Sequence, residues 1–234
     1  MKSRFIALLA LLVFAGSQTI IAQGSQKRNV SAFTQISIKI DAEVHLKQGN
    51  TQSVEISGDE SSLNRLITDV SGRTLVIKYP VDTWFSKWQP GKVDVYITIP
   101  QIDELIVSGS GSILSEDKIN TRILNLFISG SGNIKLANLL AEKVIVTLSG
   151  SGNVTLAGNG TASEFKSIIS GSGNVKAIDF QANDVDVKIS GSGDCYVNAL
   201  KNLIAKLAGT GDVIYRGNPM IESTILGTST VRKE

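Results

Sequence analysis

Both tryptophans of the chain, Trp84 and Trp88, fall with Phe85 in one polar, proline-bounded loop running from Val81 to Pro90. Aromatic rings displayed on a loop stack on sugars or anchor a partner, because they offer large rigid surface at small entropic cost. The competing role is structural, since large aromatics usually supply buried area and these rings can pack on the flank of the fold or plug its end. Trp84, Phe85 and Trp88 are the binding candidates. Asp194 and Asp212 sit at equivalent places in successive sequence repeats, so a calcium ion or a carboxylate pair is conceivable between them. Their neighbours in that position are Asn153 and Asn174, which favours ordinary turn residues, and no metal site is expected. Lys188, Lys206 and Asp186 are the groups a polysaccharide lyase or hydrolase would need on one outward face. Charged outward strand residues are normally only solvated, so no catalytic residues are assigned.

Composition narrows the choice further. The 23 Lys+Arg against 21 Asp+Glu leave a net charge of +2, which gives no polyelectrolyte attraction for nucleic acid. One cysteine, Cys195, excludes an intramolecular disulfide, and one histidine, His45, counts against a zinc centre or a histidine-based catalytic set. Cys195 replaces Ile or Val in its repeat column and reads as a buried, quiet hydrophobe. His45 alternates with inward Val44 and Leu46, facing out beside Glu43 and Lys47 without a catalytic companion in sequence. No cofactor is expected. The glycine-rich turns lack the Lys-Ser/Thr ending of a phosphate-binding loop and recur too often to be one.

The elements that must position these residues are read from an internal repeat. Ser-Gly-Ser-Gly begins at Ser108, Ser129, Ser149, Ser170 and Ser190, in steps of 21, 20, 21 and 20 residues. A variant starts at Ala208, and a decayed copy starts at Leu226. Before the motif stands a large aliphatic residue in every copy, Val107, Ile128, Leu148, Ile169, Ile189, Leu207 and Ile225. After it comes a polar residue, Ser112, Asn133, Asn153, Asn174, Asp194 or Asp212, and then an apolar one, Ile113, Ile134, Val154, Val175, Cys195 or Val213. Alternation with period two on both sides of a glycine corner is strand, turn, strand. One copy cannot bury its apolar face alone, but copies stacked at about 4.8 Å share a continuous aliphatic centre. The fold class is therefore all-β, a β-solenoid with rungs of about 20 residues. Gly130, Gly132, Gly150, Gly152, Gly171, Gly173, Gly191 and Gly193 supply positive φ at the corners, while Asn133, Asn153 and Asn174 can form a side-chain amide ladder.

Upstream, runs such as 36–40, 44–47, 54–56, 75–77 and 93–99 alternate as strands between turn signals, and 61–70 has room for a helical turn. Residues 33–107 read as irregular rungs continuous with the regular ones at 108–234, forming an atypical segment that covers the open strand edge. Residues 23–32 read as a short linker. Lys2, Arg4 and the apolar run Phe5 to Phe14 look like a secretory signal peptide over 1–22, cut after Ala22 or alternatively near Ala15 to Ser17. The apolar run is too short for an ordinary span, though an uncleaved anchor is the alternative, and no transmembrane span is expected in the mature chain.

With its tandem units Gly130 to Ile134, Gly150 to Val154 and Gly171 to Val175, the entry Phe33-Thr34-Gln35-Ile36, and Ile99-Pro100 followed by Leu105 to Gly111, the chain resembles the bacterial auto-transporter adhesin head GIN domain family. The resemblance covers about residues 30 to 232. It implies a single-stranded right-handed β-helix akin in shape to pectate-lyase-type folds, a cell-envelope location and a part in adhesion, and it carries no catalytic residues. The sequence departs from the pattern at Ser229, where the second glycine is lost. The expected protein is thus exported to the periplasm, outer-membrane surface or medium, non-enzymatic, and adhesive, with envelope glycans or proteins as partners. A glycan-binding module is the alternative, and a polysaccharide-cleaving enzyme the rival class.

Overall fold

A computed structural model of the protein describes residues 24–81 and 88–234. The segment read as a signal peptide, and Trp84 and Phe85 of the aromatic loop, lie outside the described residues. The chain begins with β1 (Gly24–Lys27), β2 (Gln35–Ile38), β3 (Glu43–Gln48) and β4 (Ser53–Gly58). Helix α1 (Glu60–Arg65) is followed by β5 (Ile67–Ser71), β6 (Thr74–Lys78), β7 (Val93–Ile99) and β8 (Glu104–Gly109). Five long bent strands then make the regular coils: β9 (Ser112–Gly130), β10 (Asn133–Gly150), β11 (Asn153–Gly171), β12 (Asn174–Gly191) and β13 (Cys195–Gly209). β14 (Val213–Arg216), β15 (Met220–Gly227) and β16 (Val231–Lys233) complete the stack.

The regular coils pair in parallel with the register the repeat dictates: Ile128 sits between Val107 and Leu148, and Val154 between Ile134 and Val175. Two aliphatic columns result. One runs Ile77, Ile38, Val107, Ile128, Leu148, Ile169, Ile189, Leu207, Ile225. The other runs Val95, Val44, Ile113, Ile134, Val154, Val175, Cys195, Val213, Val231. Every member of the first is buried except the last, Ile225, which is 40% exposed because no coil lies above it. The expectation that this column always faces the core therefore fails at the terminal coil, where β15 is exposed along its whole length.

The two glycines of each corner prove to have different jobs. Gly150 adopts φ 127°, and the first motif glycine of every coil does likewise, whereas the second never leaves the negative-φ range. Gly152 is required for space instead: a Cβ there would run into the carbonyl oxygen of Gly132 on the neighbouring coil and lie 2.8 Å from the Ile128 side chain. Backbone bonds such as Ser151 N–H to Gly130 O (2.9 Å) hold these corners against one another. Positive φ was expected of both glycines, and it serves only one.

The irregular coils also depart from simple succession. β3 lies between β7 and β9, and β2 between β6 and β8, so the first coil of the chain is sandwiched between a later outer coil and the regular stack. Antiparallel β4 covers β7, and β1 covers β4. β1 arises within the stretch read as a linker. The helix occupies only the first half of the span 61–70, beginning at Glu60, and the second half turns back as β5 antiparallel to β6. Asp59 caps α1, accepting from the Ser61 hydroxyl (2.6 Å) and the Ser62 N–H (2.9 Å). These bonds hold its carboxyl below the usual range, at about 2.

Candidate binding site at the end of the corner ladder

Register places the aromatic loop. Ile77 and Val95 stand in the columns of Val107 and Ile113, so the described residues 78–81 and 88–94 leave and rejoin the outermost coil where a regular coil carries its Ser108 to Ser112 corner. Trp88 is half-buried at the loop's end. Its indole meets Tyr79 edge-on (ring centroids 5.0 Å), lies under the Arg65 guanidinium (4.9 Å) and donates to the Ser61 hydroxyl (3.3 Å). Beside it opens a cleft of about 530 Å³ lined by Lys39, Asp41, Lys78, Tyr79 and Trp88 among others. Two aromatic walls with charged groups at the rim have the chemistry of a sugar or peptide subsite.

The polar column just past the corner forms a continuous hydrogen-bonded ladder. Asn174 Nδ2 donates to Asn153 Oδ1 (3.2 Å), Asn153 Nδ2 to Asn133 Oδ1 (3.1 Å), and Asn133 Nδ2 to Ser112 Oγ (3.4 Å). Towards the other end the backbone N–H groups of Asp194, Asp212 and Thr230 donate to the side-chain oxygens of Asn174, Asp194 and Asp212. Asp194 and Asp212 are therefore rungs of this ladder, which gives their position a structural account. Cross-strand register extends the same column past Ser112 to Glu43 and then Asp94.

His45 projects from β3 as expected, but with companions that sequence adjacency did not reveal. Its ring stacks on Tyr96 of β7 (4.8 Å, 13° between planes), and its Nε2 lies 3.4 Å from Glu43 Oε1. Aligning Glu43-Val44-His45 with Asp94-Val95-Tyr96 as equivalent rungs would have revealed the cluster. Lys188 and Lys206 are register partners on adjacent coils and both exposed, while Asp186 pairs at 3.8 Å with a different lysine, Lys166.

Cys195 is fully buried in its aliphatic column, and burial pushes its thiol up to about 12. At pH 8 it stays a protonated thiol. Iodoacetamide is expected to modify native protein only as fast as the coil opens, and full labelling within minutes in urea but not in buffer, read by mass spectrometry, checks this.

A stack of parallel coils about an aliphatic axis, closed at one end by antiparallel strands and cornered by paired glycines, defines a β-solenoid. The chain belongs to the family described as "Putative auto-transporter adhesin, head GIN domain", which matches residues 32–219. Among solved structures, a "putative adhesin" from Bacteroides fragilis is 24% identical, with 91% of this chain and 97% of that one covered at a TM-score of 0.83. A "putative lipid binding protein" from Parabacteroides distasonis is also 24% identical, covering 91% and 96% at 0.73. A "putative adhesin" from Parabacteroides merdae is 22% identical, covering 91% and 96% at 0.72. At these identities the likeness shows the fold. No curated protein matches the chain.

Proposed function

We propose that the chain is exported and serves at the cell envelope as a non-enzymatic adhesion solenoid that binds envelope or surface glycans through the aromatic loop of Trp84, Phe85 and Trp88. One observation carries this reading. The positions fixed by the repeat are occupied with backbone and packing work, whereas the sequence between Ile77 and Val95 departs from the repeat by inserting Trp84, Phe85 and Trp88, the last of which lines an open cleft. Family membership and the signal-like residues 1–22 support an envelope setting.

Purified protein should be retained on a glycan or cell-wall array, and Trp84→Ala with Trp88→Ala should lower retention at least about tenfold, the scale of losing two stacking contacts. Because Trp88 also packs on α1, Trp84→Ala alone and a far-UV CD spectrum accompany the double variant. Retention that is unchanged in both variants would remove the glycan reading. Turnover of a uronate polymer, lost in Lys188→Ala or Lys206→Ala, would overturn the non-enzymatic one. Protease added to intact cells distinguishes the surface, where the protein is cut, from the periplasm, where it is spared.

A further inference from the structure

We infer that Glu43, His45 and Asp94 form a site for a divalent transition-metal ion, Zn²⁺ or one of its neighbours in the first row, at the end of the corner ladder. One ligand atom from each residue lies within 4.8 Å of the other two. Donors held about 2.1 Å from a tetrahedral ion stand about 3.4 Å apart, which is the separation of His45 Nε2 and Glu43 Oε1. The third donor, from Asp94, lies no more than 4.8 Å from either of them. Stacking on Tyr96 fixes the imidazole plane, the service a second-shell contact gives a metal ligand.

Two further observations point to a cation. Glu43 and Asp94 are register partners on adjacent parallel strands, and like charges directly opposite destabilise a sheet unless something neutralises them. Asp94 is 9% exposed, and its Oδ1 is buried without a hydrogen bond. Farther along the same column, Asp194 and Asp212 also face each other, yet each has an Oδ1 that accepts a backbone N–H. At Asp94 that solution is missing. Among the described residues it is Lys92 Nζ that pairs with this carboxylate, 3.3 Å from Oδ1, at the end of a side chain 74% exposed. Glu43 also lines an open cavity of about 330 Å³ with Asp41, Lys92 and Ser112, so water reaches the cluster from that side. One imidazole with two carboxylates suits Zn²⁺, Co²⁺, Ni²⁺ or Mn²⁺ and does not favour the all-oxygen shells of Ca²⁺ and Mg²⁺.

The test uses the whole purified protein, stripped with chelator and dialysed. Titration calorimetry with ZnCl₂ should show one saturable equivalent that a large excess of Mg²⁺ does not displace, and CoCl₂ should give visible d–d bands with the same stoichiometry. His45→Ala and Asp94→Asn should each weaken binding at least about tenfold, the scale seen when a ligand or its support is lost. Asp117→Asn, outside the cluster, should leave it unchanged, and a melting curve for each variant checks its fold. Lys92→Ala should tighten binding, because its ammonium competes for the same carboxylate. Absence of saturable Zn²⁺ binding, binding by His45→Ala equal to that of the parent, or weaker binding in Lys92→Ala would each overturn the site.

Discussion

Gly152→Val is expected to lower the thermal midpoint by roughly 10 °C, from a cost of about 3 kcal/mol or more. The new side chain would meet the Gly132 carbonyl oxygen, which is backbone, and the Ile128 side chain at 2.8 Å. A rotamer change cannot relieve the first contact. Only a wider spacing between coils can, and that stretches the parallel hydrogen bonds pairing β10 with β9 before the corner and β11 with β10 after it. The same reasoning gives a milder result at the last coil. Gly227 has φ 126°, and a Cβ there would press on the Gly209 oxygen, yet β15 pairs with β13 and has no coil above it. Gly227→Ala should therefore fray residues 220–234 and leave the interior intact, since coils of a solenoid couple chiefly to their neighbours. Calorimetry measures the first effect, and hydrogen exchange resolved by coil separates it from the second. A Gly152→Val protein melting within 2 °C of the parent would show that the corner is not closely packed, given that roughly 3 °C accompanies each kcal/mol at this size.

The register of the regular coils was readable because a fixed step of about 20 residues and period-two alternation determine every pair once one pair is known. Ile128 beside Leu148 and Asn133 beside Asn153 both follow from that arithmetic. The amide ladder was readable for the same reason. Stacking order in the irregular segment was not, because nothing in residues 33–107 repeats closely enough to show that β3 is followed in space by β9 while β7 lies outside it. Hydrophobic alternation says which way a side chain points, and it is silent on which strand comes next. The cluster at His45 was hidden by that same gap. Its partner Asp94 is brought alongside Glu43 only by the inserted order of the strands, so a lone histidine in the sequence looked chemically isolated. The second motif glycine was assigned the wrong reason because tight turns and close backbone approach leave the same mark, an obligatory glycine, and only the neighbouring coil distinguishes them.

Phe165→Ala is expected to cost about 4 kcal/mol, in the middle of the range for truncating a buried aromatic. Phe165 is 1% exposed and occupies a column that otherwise reads Leu124, Val144, Val185, Leu203 and Ile221. Its ring is the largest group in that column, and its surroundings explain why it fits: the coils around it carry the small buried residues Ala162, Ala177 and Ala182, and Phe180 meets it at 6.1 Å between centroids. Small residues on β11 and β12 make room that one oversized ring fills. Alanine at 165 leaves a cavity that rigid, hydrogen-bonded coils cannot collapse to fill, so the cost approaches the full transfer and cavity terms together. Phe165→Leu should recover more than half of the loss by restoring most of the volume. Because coupling runs from coil to coil, protection from hydrogen exchange should fall most in β11 and β12 and least in β3 and β9. A cost below 1 kcal/mol, or an even loss of protection along the stack, would mean that the coils yield locally or unfold as one unit, against the packing derived above.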